Sequence, residues 1–354
     1  MTKIIVYSIC KNEEKHIMRW YLSCHDADEL IIVDTGSTDD TLSIIKSLPI
    51  TLHQIKISPW RFEDARNASL ALCADDAGIM IPLDLDEELT PGWRDVVENA
   101  WTSETTRLKY NFKWNEQISF QQDKIHHRHG YRWKNCCHEI LQPYGIPEHV
   151  TEISDQLIVQ NADNTKVRDY IHLLEMDVRE NPHNARNSHY LAREYFFQQK
   201  YNEAIHEFTR HLTLTDRWAP EASASYRYIA KCYEHLAKTN NNNDTLLKEA
   251  QRYYYKSIDE DMASREALID AAKFAVKQQK WNEVLALTER CHSIPQTTHY
   301  LCEAYANKEG PFDLAATAYW SLGQKETARE LAQLALDFSP NNQRLIKNLE
   351  VMLI

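Results

Sequence analysis

From residue 3 to residue 83 the chain alternates short apolar runs with amphipathic stretches. Residues 3–9 are apolar and β-branched and predict a strand, and 29–33, 52–57 and 79–83 read as three more. The segments between them, running to Leu22, to Leu48 and over 61–74, carry helical spacing. Strands alternating with helices in this way predict an α/β domain, a largely parallel sheet with helices on both faces. Such sheets bind ligands at the carboxyl ends of their strands. Polar groups collect there: Asn12 with Glu13, Asp34 with Asp39, Arg66, and the pair Asp84 and Asp86. Gly36 permits close backbone approach after the second strand, and Ser37, Thr38 or Asp39 can cap the helix that follows.

The fourth run, IMIPLDLDEE over residues 79–88, ends in alternating carboxylates. If the strand stays regular, Asp84 and Asp86 lie on the same side and can share one cation. Oxygen-only ligands in an open position suit Mg2+ or Mn2+, held jointly with the phosphates of a ligand. Beyond Trp93 the pattern becomes a polar–apolar alternation over 107–141, with Tyr110, Phe112, Trp114, Phe120, Tyr131 and Trp133. It predicts antiparallel strands or a ribbon packed on the sheet. Within it, the histidines of 126–129 cannot all aim at one ion, and Gly130 reads as a turn, so a solvated hairpin tip is expected. His138 and Glu139 close the aromatic run within reach of the sheet edge.

From about residue 169 the chain turns helical and repetitive. Residues 188–212, 226–258, 267–294 and 313–340 each read as two helices around a break. The spacing fits helical hairpins of about 34 residues, each burying its apolar face on its neighbour. Residues 240–243 read as a loop insertion. Tyr226, Tyr233, Tyr253, Tyr254, Trp281 and Trp320 read mostly as packing between repeats. The expected organisation is an α/β domain over 1–165 and an all-α repeat domain over 166–354.

Composition narrows the classes. A formal charge of -12 argues against a binder of duplex nucleic acid. The eight cysteines show no CxxC spacing, which disfavours zinc and disulfide scaffolds and points to a reducing cytoplasm. No apolar run is long enough to span a bilayer, and the N-terminal apolar stretch reads as a first strand rather than a signal peptide.

The blocks KNEEKHI (11–17), VDTGSTDDT (33–41), PWRFEDARNASL (59–70) and IPLDLDEEL (81–89) together resemble a family 2 glycosyltransferase of the GT-A fold. The resemblance covers residues 3–141 and is nearest to bacterial and phage members that carry tetratricopeptide repeats, among them peptide glycosyltransferases. It implies a nucleotide-sugar donor, a UDP-sugar first, and Mn2+ or Mg2+. Ile9, Asn12 and Glu13 would line the nucleobase and ribose pocket. Asp34 would accept from base or ribose, with Gly36, Ser37 and Asp39 shaping the same wall. Arg66 would approach the nucleotide phosphates and Asp84 the ribose. Asp86 would hold the metal against the diphosphate, and His138 would be a further metal or phosphate contact. Glu139 would lie near the acceptor and is the chosen general base, ahead of Asp177 and Glu87.

Two departures stand out. Leu85 replaces a small residue between the acids. Residues 159–163 stand where the family often has a His-x-Gly-Tyr block, with His172 as a substitute. The implied activity is inverting transfer to a peptide, protein or glycan, with repeats that hold the acceptor or support a homodimer. A degenerate transferase domain serving as a repeat-based scaffold is the alternative, disfavoured because the acids are all retained. A nucleotidyltransferase is disfavoured because no glycine-rich basic loop follows the first strand.

Overall fold

A computed structural model of the chain describes residues 2–161, 170–240, 243–296 and 299–353. Two compact units divide it, Met1–Asp177 and Val178–Ile354. The expected boundary at 165/166 lies outside the described residues, as do residues 241–242 of the expected insertion.

The first unit follows the apolar pattern closely. β1 (Ile4–Cys10), α1 (Ile17–Cys24), β2 (Glu29–Asp34), α2 (Thr41–Lys46), β3 (Thr51–Gln54), α3 (Phe62–Ala71) and β4 (Ile79–Pro82) come in the predicted order. The four strands pair in parallel in the order β3-β2-β1-β4. β1 is buried on both faces, which is why it reads as a continuous apolar run. Ile4, Val6 and Cys10 pack with Trp20, Ile45 and Val97, while Ile5 and Tyr7 pack with Leu70 and Cys73.

After β4 the sheet ceases to be parallel. β5 (Glu87–Leu89), α4 (Trp93–Ala100), β6 (Arg107–Lys113) and β7 (Ser119–His127) follow, and then β8 (Tyr131–Lys134), β9 (Ile140–Pro143), β10 (Val150–Gln160) and α5 (Ile171–Glu180). The full eight-stranded order is β3-β2-β1-β4-β7-β6-β10-β5, with β7 antiparallel to both β4 and β6. The aromatic strands β6 and β7 therefore extend the sheet and satisfy the open edge of β4. Among the described residues β8 and β9 form a separate two-stranded ribbon.

Two local expectations are corrected. The strand carrying the acids stops at Pro82, and residues 84–87 form a turn in which the Glu87 amide donates to the Asp84 carbonyl at 2.8 Å. The Asp84 amide donates in return to Glu87 Oε2 at 3.0 Å. Leu85 drives the turn by entering the core, so strand alternation does not govern Asp84 and Asp86. The histidine tract is a solvated tip only in its later part, where His129 is exposed: His126 is fully buried and pairs with Met80 across the sheet. Its Nδ1 lies 2.7 Å from the His127 carbonyl, which can only accept, so the proton sits there. Nε2 then accepts from the Tyr7 hydroxyl at 3.0 Å, and that hydroxyl accepts from Trp133 Nε1 at 3.1 Å. The turn falls at Gly130 as expected, with φ +84°, where an added Cβ would meet Ile146 at 2.3 Å.

Among its described residues the second unit is all helical. Its pairs are α6 (Ala185–Phe197) with α7 (Tyr201–Thr213), α8 (Ala219–Thr239) with α9 (Asp244–Glu260), and α10 (Arg265–Lys277) with α11 (Trp281–His292). After the short α12 (Ala304–Asn307), α13 (Gly310–Ser321) pairs with α14 (Lys325–Phe338), and α15 (Gln343–Leu353) ends the series. Helices paired in sequence order in this way are the helical hairpins that the spacing predicts. Ala192 and Ala204 are fully buried where α6 meets α7, small enough to let the helices approach. Tyr254 is buried, Tyr253 stacks on Tyr233 at 5.6 Å, and Trp281 and Trp320 pack against separate apolar clusters. Among the described residues no helix is long and apolar enough to cross a membrane.

Burial lowers the pKa of His126 to about 3. The folded state thus keeps the ring neutral while the unfolded chain takes up a proton below about pH 6.5. The stability from this site is present above that pH and is lost as pH falls toward 3. Chemical denaturation at pH 7 and pH 4 should show wild type losing about 3 kcal/mol more than His126→Gln over that interval.

Candidate functional site

The loops after β1 and β2 are laced to each other by side chains. Asn12, at φ +57°, accepts the Thr38 amide on Oδ1 at 2.7 Å and donates its own amide to Ser37 Oγ at 2.9 Å. Asparagine tolerates that left-handed backbone better than most residues. The Glu13 amide donates to Thr41 Oγ1 at 2.8 Å, and Asp39 accepts from the amides of Thr41 and Glu14. Asp34 is buried and accepts the amides of Gly36 and Ser37 at 3.0 and 3.1 Å. Gly36 sits at φ +114°, a conformation open to glycine.

At the centre lies Arg66. Its guanidinium meets Asp84 at 2.9 and 3.1 Å and Glu139 at 2.5 Å. Burial works against the charge, but the two carboxylates outweigh it and hold the pKa above the usual arginine value. The guanidinium rests 5.0 Å from the ring centre of Trp133. Next along α3, the Asn67 side chain pairs with the Trp133 backbone, accepting its amide at 2.8 Å and donating to its carbonyl at 3.0 Å. In the turn after β4, burial raises the Glu87 carboxyl to about 7, against the opposing field of Lys124 and with Asp84 and Asp86 adding to the rise.

These groups open onto a cavity of about 600 Å³ lined by Ile9, Glu13, Arg66, Asp84, Asp86, His138 and Glu139, with further residues named below. Asn12, Asp34, Gly36, Ser37 and Asp39 are not among its described lining residues. Their hydrogen bonds shape the loops that present Ile9, Glu13 and Thr35. Arg66 is engaged by protein carboxylates rather than left open for phosphates.

Residues 5–132 match the family model described as Glycosyl transferase family 2. The chain carries a family 2 glycosyltransferase domain. The uncharacterized glycosyltransferase RP128 of Rickettsia prowazekii is 35% identical over 105 residues, 29% of this chain and 34% of that protein. The uncharacterized glycosyltransferase RT0209 of Rickettsia typhi is 34% identical over 105 residues, with the same coverage. The chain thus spans about a third of the length of the curated relatives it matches. Among solved structures, TTC0263, a thermophilic TPR protein in Thermus thermophilus, is similar over 52% of this chain and 88% of that one, with 16% identity and a TM-score of 0.38.

Several residues of the glycosyltransferase domain were not singled out from the sequence. Trp60, Phe62 and Tyr170 line the cavity in a chain of edge contacts, 5.1 Å and 6.0 Å between ring centres, and Tyr170 meets His138 at 5.7 Å. Trp60 and Phe62 stand inside the PWRF block, where their proximity to Arg66 was the available signal. Gln160 donates to Asp86 Oδ2 at 3.4 Å, and the Asn161 amide donates to the Asp86 carbonyl at 2.6 Å. The segment that departs from the family pattern therefore still touches Asp86, while Ala162 and Asp163 lie outside the described residues. His172 is exposed on α5 and does not line the cavity. Asp177 is buried and accepts the Cys136 amide at 2.8 Å, anchoring the loop that leads to His138. Cys136 and Cys137 are both buried in that loop rather than on a strand. Among the described residues no three His, Cys, Asp or Glu side chains gather around a metal position. A carboxylate and an imidazole lining one cavity, Asp86 and His138, are still a donor set that a divalent cation accepts when phosphate oxygens complete it.

Arg66→Ala should strand two carboxylates and lower stability in urea unfolding by about 3 kcal/mol. Adding Asp84→Asn and Glu139→Gln to that variant should recover part of the loss.

Proposed function

We propose that the domain is a metal-dependent, inverting transferase that moves a sugar from a nucleotide-sugar, a UDP-sugar first, to a peptide, protein or glycan acceptor. The observation that carries this reading is the convergence of Asp86, His138, Glu139 and the Arg66–Asp84 pair on one cavity at the carboxyl edge of β1 and β4. A volume of about 600 Å³ is in the range of small-ligand sites.

In this reading the laced loops after β1 and β2 hold the nucleoside against Ile9, Glu13 and Thr35 without having to order on binding. Asp86 and His138 would hold Mn2+ or Mg2+, which supplies charge neutralisation for the departing diphosphate. Asp84, fixed by Arg66, faces the ribose. Glu139, kept in place by the same guanidinium, takes the proton from the acceptor hydroxyl as the acceptor oxygen bonds to the sugar's anomeric carbon. The bond from that carbon to the phosphate oxygen breaks, and the configuration inverts. Glu139 is preferred over Glu87 and Asp177 because Glu87 is tied into the turn and Asp177 holds the Cys136 backbone. The eight free thiols agree with a cytoplasmic setting.

Calorimetric titration of UDP, GDP, UDP-glucose, UDP-N-acetylglucosamine and GDP-mannose, with and without Mn2+, tests the donor side. One donor should bind in a Mn2+-dependent way and lose that dependence in Asp86→Ala. Binding of none would move the function to the repeats as a scaffold. Once a donor and an acceptor are in hand, Glu139→Gln should lower kcat about 10²–10⁴-fold while leaving nucleotide affinity within about twofold.

A further inference from the structure

Regular pairing between β6 and β7 breaks at one place. From Leu108 to Tyr110 β6 advances two residues, while β7 covers three between Ile125 and Gln122. One extra residue therefore sits at Asp123–Lys124, and the Arg107 Nε fixes it by donating to the Asp123 carbonyl at 2.5 Å. Gln122 and Lys124 both line the cavity beside Phe112 and Trp114. Bulges next to ligand cavities re-aim side chains. Here one brings an amide and an ammonium into the cavity.

The other cations of the cavity are placed differently. Arg66 is taken up by Asp84 and Glu139, and Lys11 belongs to the loop after β1. Lys124 makes no salt bridge among the described residues, and its charge acts on the buried Glu87 carboxyl across the cavity. β7 and β6 lie beyond β4, on the opposite side from β1 and β2. A ligand at Lys124 would thus approach the Asp84–Glu87 turn from the side opposite the nucleoside of the proposed function. An amide and an ammonium two positions apart on β7, with Trp114 just beyond the end of β6 opposite Ile118, suit a polar and charged ligand. A sugar hydroxyl meets the amide and an anionic substituent meets the ammonium, while Trp114, farther along the same cavity, is left to the rest of the acceptor.

We propose that Gln122 and Lys124 form part of the acceptor subsite, and that it takes a saccharide unit bearing a carboxylate or a phosphate. This rests on the transferase reading above. The full chain would be titrated with glucose, glucuronate and glucose 6-phosphate, and separately with UDP plus Mn2+. Wild type, Lys124→Met, Lys124→Arg and Gln122→Ala would be compared. At least one anionic sugar should bind wild type about tenfold more tightly than glucose, the scale of one charge-assisted hydrogen bond. Which anionic sugar gains assigns the subsite to carboxylate or to phosphate. Lys124→Met should remove the preference and Lys124→Arg should keep it, both with UDP affinity unchanged, whereas Gln122→Ala should weaken all three sugars alike. Equal binding of the three sugars by wild type overturns the proposal. So does a Lys124→Met loss that falls on UDP, because the ammonium would then serve the donor diphosphate. Failure of UDP to bind any variant would count against the donor reading alone, since the sugar titrations are read without it.

Discussion

Arg66 carries a charge into a place that water barely reaches, and two carboxylates from distant parts of the chain come to meet it. Asp84 arrives from the turn after β4, and Glu139 from the loop between β8 and β9. A charge buried this way costs several kcal/mol unless its partners are well placed, so the arrangement works only when all three segments hold their positions. The surrounding bonds make that so. Asn67 pins the backbone of Trp133, Asp177 pins Cys136, and Glu87 pins the amide of Asp84. The ribbon of β8 and β9 is thereby fastened to α3 by polar contacts as well as by apolar area. The site inherits its rigidity from this fastening.

The sequence made some of this visible and hid the rest, for physical reasons. β1 and β2 were plain because strands buried on both faces are uniformly apolar. The acids at 84 and 86 were plain because carboxylates at the end of such a run are out of place in a core. The turn holding them was not, since it depends on Leu85 finding the core and on Glu87 capping a backbone amide, and both are tertiary events. His126 was misread as solvated because a histidine-rich tract looks polar. Its burial depends on Tyr7 and Trp133, distant in sequence, which complete its hydrogen bonds. Arg66 could be recognised as a site residue, but its engagement with Glu139 spans 73 positions and leaves no local trace.

The helical unit shows the same division. The repeating helix–break–helix pattern announced the hairpins. Nothing local announced that Arg227, Asp270 and Glu266 would be buried. A charged residue on a helix reads as part of a solvated face until its partner is known. Arg227 Nε meets Asp270 at 2.8 Å, and Lys231 reaches the same carboxylate at 2.6 Å, so the inner faces of these hairpins are held in register by ion pairs as well as by small side chains.

The hydrogen bonds running from Trp133 through Tyr7 to His126 all donate in one direction, and the series ends on the His127 carbonyl. Their dipoles therefore add rather than cancel, with the positive end directed into the sheet and the negative end at the indole. An indole whose N–H is donated becomes richer in electrons, and that enriched face is the one beneath the Arg66 guanidinium. The core of the sheet thus acts as a polarising element, and three neutral side chains help to hold a buried positive charge.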